Sequence, residues 1–290
     1  MEQITLKAPA KINLSLAITG RRQDGYHLLR SVMQTVSLYD TVSVSKAESA
    51  EILIECNIPE IPCDSSNIAY KAATAFFSST KLLMGGLRIR LEKQIPSQAG
   101  LGGGSADGAA VIVALDRLFD TRLSLEQLCQ IGLSVGADVP FCIMGGTALA
   151  EGIGEILTPA PSLPDCHIVL CKPPIGVSTA DAYRKYDQGD WHYDDHTDSL
   201  LDALRNRDLH CAAGYLFNLF EQLVPLPEVV AIQSLLKEHG ALQSVMSGSG
   251  SAVYGIFDSE EKAKQAAESC RERYDDVFLC TPTAEGITEA

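Results

Sequence analysis

The sequence predicts an α+β fold in two domains, and three observations carry that expectation. The alternating run Leu87-Arg88-Ile89-Arg90-Leu91-Glu92 reads as a strand, and it leads into a glycine-rich loop with a buried apolar helix behind it. The one proline-dense segment, Pro159-Ala160-Pro161-Ser162-Leu163-Pro164-Asp165, divides the chain into residues 1–162 and 163–290. Beyond it the pattern runs strand, helices, strand, helix, strand, with no internal repeat. At 290 residues, 46% of them apolar and 21% charged, the chain has ample length for a sizeable core.

The N-terminal part opens with Lys11-Ile12-Asn13-Leu14-Ser15-Leu16-Ala17-Ile18. As a strand, it turns Ile12, Leu14, Leu16 and Ile18 to the core and Lys11, Asn13 and Ser15 to the other, half-solvated face. Pro9 lacks a ladder donor and marks the expected start. Asp24-Gly25 signals a turn within Arg21–His27. By itself the Tyr26-His27 pair after it reads as packing. Val32–Val44 and Glu51–Cys56 read as strands. Asp64-Ser65-Ser66-Asn67 supplies cap residues ahead of a helix over Ile68–Phe77.

The central stretch is Ile95-Pro96-Ser97-Gln98-Ala99-Gly100-Leu101-Gly102-Gly103-Gly104-Ser105-Ala106-Asp107. Four glycines in five positions contribute no side-chain packing. They permit positive φ and close approach, and successive inward N–H groups form an anion-binding concavity. Ala109–Leu115 behind them reads as a buried helix, with Ser105 or Asp107 placed to start it. A glycine loop feeding a helix N-terminus suits a phosphate. It is not a P-loop, because no lysine follows the glycines. It is not a dinucleotide fingerprint either, because Ser105 or Asp107 occupies the last required glycine position. A flexible Gly/Ser linker would be longer and more polar.

Ser124 with Gln127 forms a capping box for a helix through Leu133. In Gly136-Ala137-Asp138-Val139-Pro140-Phe141, Asp138 has only glycine and apolar neighbours. An aspartate in a tight turn reads equally well as a cap. Gly145–Ala150 is a buried strand opening on a glycine pair. In the second half, His167–Cys171 is a strand, Val177–Tyr183 a capped helix start and Gly189–Asp198 a surface loop. His192 and His196 in that loop lack helical support and a third spaced ligand, so no metal site is assigned there. Leu200–Leu204, Cys211–Leu223 and Glu228–His239 read as helices, the last stopped by Gly240. Ser247-Gly248-Ser249-Gly250-Ser251 is a second glycine loop, followed by a strand over Ala252–Phe257. A helix over Ser259–Arg273 and a strand over Val277–Cys280 complete the pattern.

Composition narrows the function. A net charge of −14 repels polynucleotides but leaves a locally held mononucleotide open. No apolar run approaches the roughly 18 residues that span a bilayer, so no membrane partner is expected. Met1–Lys7 has neither a basic n-region nor an apolar h-region. Nine cysteines without C-x-x-C spacing suit free thiols in a reducing cytosol, and the expected location is cytoplasmic.

Pro96 to Ala106, P-x-x-x-G-L-G-G-G-S-A, closely resembles the ATP-binding loop of the GHMP kinases. The lysine early in the first strand and the late Ser247–Ser251 loop match that family's other two motifs in order. Pro9-Ala10-Lys11-Ile12-Asn13-Leu14, Asp24-Gly25-Tyr26-His27 and Gly136–Phe141 narrow the resemblance to a branch that phosphorylates a cytidine-diphosphate sugar alcohol. The resemblance runs from about Lys7 to Phe257. It implies an N-terminal ribosomal-protein-S5-like α/β domain and a ferredoxin-like C-terminal domain, with the active site in the cleft between them. It further implies an ATP- and Mg²⁺-dependent kinase of small molecules, a monomer or weak homodimer.

In this family reading Asp138 takes the hydroxyl proton. Lys11 keeps Asp138 ionised and stabilises the transferring group. Pro96, Ser97, Gln98, Ala99, Gly100, Leu101, Gly102, Gly103, Gly104, Ser105 and Ala106 hold the nucleotide, and Lys93 approaches it. On the acceptor side Tyr26 is the first stacking candidate and Tyr183 the second. His27 reads the base edge, Asn13 contacts substrate near Asp138, and Gly248 and Ser249 close over it. Some positions depart from the usual pattern. Ser97-Gln98 stands where small apolar residues are common, which bears on the adenine-side fit, and Gly108 and Cys142 replace what are often Ala and Phe. The Glu with which some members hold Mg²⁺ is not identified, so no protein metal ligand is assigned. Two other readings fit the motifs less well: another GHMP kinase, such as one for homoserine or mevalonate, and a non-catalytic nucleotide-binding protein of the same fold.

Overall fold

The computed structural model describes residues 3–189, 191–223 and 225–290. Met1 and Glu2 of the N-terminal segment, Asp190 of the Gly189–Asp198 loop, and Val224 lie outside the described residues. The first half contains β1 (Gln3–Arg21), β2 (His27–Ala47), β3 (Ile52–Cys56), α1 (Ile68–Thr80), β4 (Gly86–Glu92), α2 (Gly103–Leu118), α3 (Leu125–Leu133), α4 (Val139–Met144), β5 (Thr147–Gly152) and β6 (Ile156–Pro159). The second contains β7 (His167–Lys172), α5 (Thr179–Tyr186), α6 (Thr197–Arg205), α7 (Leu209–Gly214), β8 (Phe217–Asn218), α8 (Phe220–Leu223), α9 (Pro227–Glu238), β9 (Gln243–Met246), β10 (Val253–Phe257), α10 (Glu260–Arg271), β11 (Asp276–Cys280) and β12 (Thr288–Glu289).

These elements build an α+β architecture around two sheets. Among the described residues the first sheet has eight strands. Its path runs β12-β1-β2-β4-β3, with β5 on β2, β6 on β5 and β8 on β1. The second sheet runs β11-β7-β10-β9. Residues 160–166 carry the chain from one sheet to the other, and β8 and β12 return from the second half to pair with β1. The N-terminal core packs Leu87, Ile89 and Leu91 of β4 against Phe76 of α1 and Ile112 and Leu115 of α2, all 0–1% exposed. Each such side chain contributes about 1.5–3 kcal/mol of apolar burial. A second cluster fills the space between the sheets, and a third lies under α9 and α10.

The structure departs from the sequence expectations at several places. β1 starts at Gln3 rather than near Pro9, and Pro9 sits where the β1–β2 register shifts between Pro9 and Ala10. A proline without a donor is tolerated at such an irregularity. The polar face of β1 is not half-solvated: Lys11, Asn13 and Ser15 are 4%, 1% and 0% exposed. α2 starts at Gly103, with Gly102 as a left-handed N-cap and no side-chain cap, so neither Ser105 nor Asp107 starts it. The helix expected over Cys211–Leu223 breaks after Gly214, because Phe217-Asn218 pairs in parallel with Ser15-Leu16. Short β6, in the first sheet, and β9, in the second, had no distinct sequence signal; with β9 the second sheet has four strands instead of three. The helices starting at Ile68, Leu125 and Thr179 carry the caps expected of them, Asn67, Ser124 with Gln127, and Ser178.

Candidate active site

The glycine loop is held by its own backbone. Leu101 O accepts from Lys11 N at 3.0 Å and Ala99 O from Ala252 N at 3.1 Å. Gly100 O accepts from Ser247 Oγ at 2.9 Å. Two glycines are sterically required. A Cβ on Gly100 (φ 75°) would lie 1.9 Å from Ser247 O, and one on Gly102 (φ 71°) would lie 2.9 Å from Lys11 Cγ. Gly103, Gly104 and Ser105 form the first turn of α2, where N–H groups have no intrahelical acceptor and no side chain caps them. That end presents donors and the positive pole of a 16-residue helix to the cleft. Ala106 is the exception among the loop residues. Its side chain is fully buried and its N–H donates to Gly102 O at 2.9 Å, so it has no donor left for a phosphate. Gln98 takes a left-handed φ of 51° and packs its side chain against Gly176.

Asp138 is the residue before α4, but its carboxylate makes no cap hydrogen bond. It faces Lys11 instead, with Nζ and Oδ2 3.6 Å apart. The Lys11 side chain is 5% exposed and that of Asp138 34%, so the pair is dry on one side and open to the cleft on the other. A buried polar chain fixes Lys11 from behind. Lys11 Nζ donates to Asn13 Oδ1 at 2.7 Å, Asn13 Nδ2 to Ser31 Oγ at 2.8 Å, and Ser31 Oγ to Ser15 O at 2.6 Å. Tyr254 OH donates to Asn13 O at 2.8 Å, tying β10 of the second sheet to β1.

Lys93 does not reach freely toward a nucleotide. Its ammonium is held by Asp40 and, at 2.6 Å, by Asp107. Asp40 Oδ1 also accepts from Gln94 N at 2.6 Å and Ile95 N at 2.9 Å, which fixes the entry to the glycine loop. Burial alone would lower the Lys93 pKa, but Asp107 and Asp40 outweigh it and raise it. Burial lifts Asp107 to about 7, with Lys93 opposing and Asp40 reinforcing the rise. Asp107 Oδ1 has no hydrogen-bond partner. Sequence reasoning missed Asp40; its one signal is that it is the single charged residue in the strand run Val32–Val44.

On the far wall, His27 stacks on Tyr183, with ring centroids 4.7 Å apart and planes 14° from parallel. His27 Nε2 donates to Asp187 Oδ1 at 2.8 Å. Tyr183 packs edge-on against Phe220, and burial raises its pKa. Tyr26 is 59% exposed under the Arg22 guanidinium, so Tyr183 is the better enclosed of the two aromatics. One cavity of about 1150 Å³ brings these groups together. Its lining includes Lys11, Asn13, Asp138, residues 96–105, Tyr26, His27, Tyr183, Gly248 and Ser249. Lys93 and Asp107 form part of its floor. Among the described residues, no group of three His, Cys, Asp or Glu side chains gathers as a metal cage. No described helix is long and apolar enough to cross a membrane.

Comparison with known proteins gives the same arrangement a lineage. The model of the GHMP kinases N terminal domain matches residues 67–146, and that of the GHMP kinases C terminal domain matches 200–276. The chain is similar to the 4-diphosphocytidyl-2-C-methyl-D-erythritol kinase of Lachnospira eligens, with 42% identity over 275 residues, 94% of this chain and 95% of that one. To the enzyme of the same name from Acetivibrio thermocellus it is 44% identical over 281 residues, 96% and 99% of the two chains. A solved 4-(cytidine 5'-diphospho)-2C-methyl-D-erythritol kinase superimposes with a TM-score of 0.80 at 33% identity, covering 97% of this chain and 100% of that one. A homoserine kinase from Cytophaga hutchinsonii superimposes with a TM-score of 0.79 over 100% and 98% of the chains, but at 18% identity it speaks for the fold alone.

Proposed function

This chain belongs to the 4-diphosphocytidyl-2-C-methyl-D-erythritol kinases of the GHMP family, and from that premise we propose that it moves the γ-phosphoryl group of ATP to the 2-hydroxyl of 4-diphosphocytidyl-2-C-methyl-D-erythritol, a step toward isoprenoid precursors. The observation that carries the mechanism is the Lys11–Asp138 pair, 3.6 Å apart beside the start of α2. The first-turn N–H groups at Gly103–Ser105 hold the phosphates. In this reading Asp138 accepts the proton of the attacking hydroxyl; a carboxylate serves as base when it is within hydrogen-bond reach. Lys11, kept in place by Asn13, offsets charge that develops on the transferring group. Because the Lys11 ammonium is nearly dry, its field there is less screened than it would be in water.

The donor set also bears on Mg²⁺. The cleft offers backbone N–H groups, the Ser105 hydroxyl and Asp138, not a cage of carboxylates. That set would fit an ion carried in on the phosphates, with Ser105 and Asp138 as the residues that would help to hold it. Bound there, Mg²⁺ would neutralise phosphate charge. At the other end, Tyr183 and His27 offer stacked rings for a cytosine face, Asp187 fixes the His27 ring, and Tyr26 covers the mouth.

The test is ADP release from Mg·ATP with 4-diphosphocytidyl-2-C-methyl-D-erythritol, beside homoserine and mevalonate. Release with the cytidylyl acceptor alone is expected. Release with another acceptor would keep the phosphate loop and discard the base-binding roles of Tyr26, His27 and Tyr183. ATP binding without release for any acceptor would mean a non-catalytic protein.

A further inference from the structure

The Ser247–Gly250 segment faces the first glycine loop, and what holds it from behind is a stretch that reads in the sequence as plain helix. β8 is two residues long, paired with Ser15 and Leu16 of β1, and Leu219 N donates to Leu16 O at 3.0 Å. From this anchor the Asn218 side chain, 5% exposed, reaches under the loop. Its Nδ2 donates to Met246 O and to Gly248 O, both at 2.7 Å, and its Oδ1 accepts from Phe220 N at 2.9 Å. Glu221 Oε1 accepts from Met246 N at 2.5 Å and from Gln233 Nε2 at 2.8 Å. β9 is an edge strand, so without these partners the outward N–H and C=O of Met246 would be buried and unpaired. Gly248 in turn is pressed against the chemistry. A Cβ there would lie 3.1 Å from Gly100 Cα and 3.5 Å from Asn13 Oδ1.

We propose that Asn218, with Glu221 holding the N–H of the same Met246, is a positioning residue for phosphoryl transfer. One primary amide ties the strand that carries Lys11 and Asn13 to the loop that closes on the opposite side of the phosphates. It thereby sets the gap between Gly248 and the Gly100–Lys11 wall. The inference rests on reading the Ser247–Ser251 loop as a contact of the transferred group.

Asn218→Asp keeps the volume but puts carboxylate oxygens against two carbonyls. Misplacement on the scale of 1 Å costs up to about 100-fold in rate, so kcat per titrated nucleotide site is expected to fall roughly 10- to 100-fold, with both KM values within about threefold. Glu221→Gln keeps an acceptor for Met246 N–H and is expected to stay within about twofold of the parent, whereas Glu221→Ala loses about five- to tenfold. If Asn218→Asp does not fold, the Glu221 pair decides alone. A loss that disappears when rates are divided by titrated sites overturns the proposal, as does Glu221→Gln behaving like Glu221→Ala. Gly248→Ala tests the loop separately. If it removes turnover while Asn218→Asp leaves kcat intact, the loop keeps its role and the clamp does not. If neither substitution changes turnover, the reading of the loop falls as well.

Discussion

Two buried lysines line the same cleft, and their surroundings differ in charge and in water access. Lys93 is enclosed by two carboxylates, Asp40 and Asp107, whose side chains are 0% and 6% exposed. Lys11 meets one carboxylate, Asp138, at 3.6 Å, and that side chain is 34% exposed. Its other partner is the neutral Asn13 amide. A cation between two dry acids has its field cancelled locally and no direction left in which to act. A cation with one distant, half-open acid retains an unspent field toward the cleft. Charge count and water access, not residue type, distinguish the two lysines, and the proposed mechanism uses only Lys11.

The largest effect should come from breaking the open pair. Asp138→Asn removes the proposed base and Lys11→Met its proposed cationic partner, and each is expected to lower kcat by about 10²–10⁴-fold. Nucleotide affinity should change little, because the donors proposed to hold the phosphates lie in the backbone of α2. Steady-state kinetics with equilibrium nucleotide binding checks both halves. Loss of nucleotide binding or of the fold on Asp138→Asn would make that residue structural, like the acids around Lys93.

The closed site should respond in the other currency, stability. Lys93→Met leaves Asp40 and Asp107 facing each other without their cation. Breaking a buried ion pair from one side costs about 3–5 kcal/mol, a fall of roughly 10 °C in melting temperature at this size. The folded fraction should keep a kcat near that of the parent. A variant that melts normally but does not turn over would mean that Lys93 acts on the nucleotide directly.

The contrast between the lysines also marks how far the sequence could be read. Asp138 stands out as an acid among Gly, Ala, Val, Pro and Phe, although a cap reads equally well, and Lys11 is singled out by the family resemblance, since alternation alone gives it a half-solvated face. The glycine loop was legible because Gly100 and Gly102 each occupy a backbone that no Cβ fits. Lys93, two residues before Ile95, pointed just as well to a phosphate contact. The acids that capture it come from 53 residues upstream and 14 downstream, and no local pattern records that meeting. The breaks at Phe217-Asn218 and the short β9 were hidden for the same reason. Phe217-Asn218 pairs with β1 and β9 with β10, and Asn218 Nδ2 reaches Met246 O between them, so periodicity in their own sequence is weak. Local signals reported local geometry, and long-range pairing overrode them where a polar side chain had a distant partner.

The smallest of these effects is the finest probe of the closed site. Asp107 is raised to about 7, first by burial and then by Asp40, against the pull of Lys93. Its Oδ1 has no partner. An unfolded aspartate titrates near about 3.9. Between these values the folded chain holds a proton that the unfolded chain has released, so stability falls as pH rises through the window. The slope is at most about 1.4 kcal/mol per pH unit. Asp107→Asn cannot titrate, so its stability should fall less from pH 5 to pH 8. The variant should therefore gain on the parent by about 1–3 kcal/mol over that range. Denaturant melts at the two pH values measure the difference directly. A constant offset between the two proteins would mean that Asp107 is ionised throughout. The Lys93 cluster would then be an ordinary ion triad that holds its charge by pairing alone.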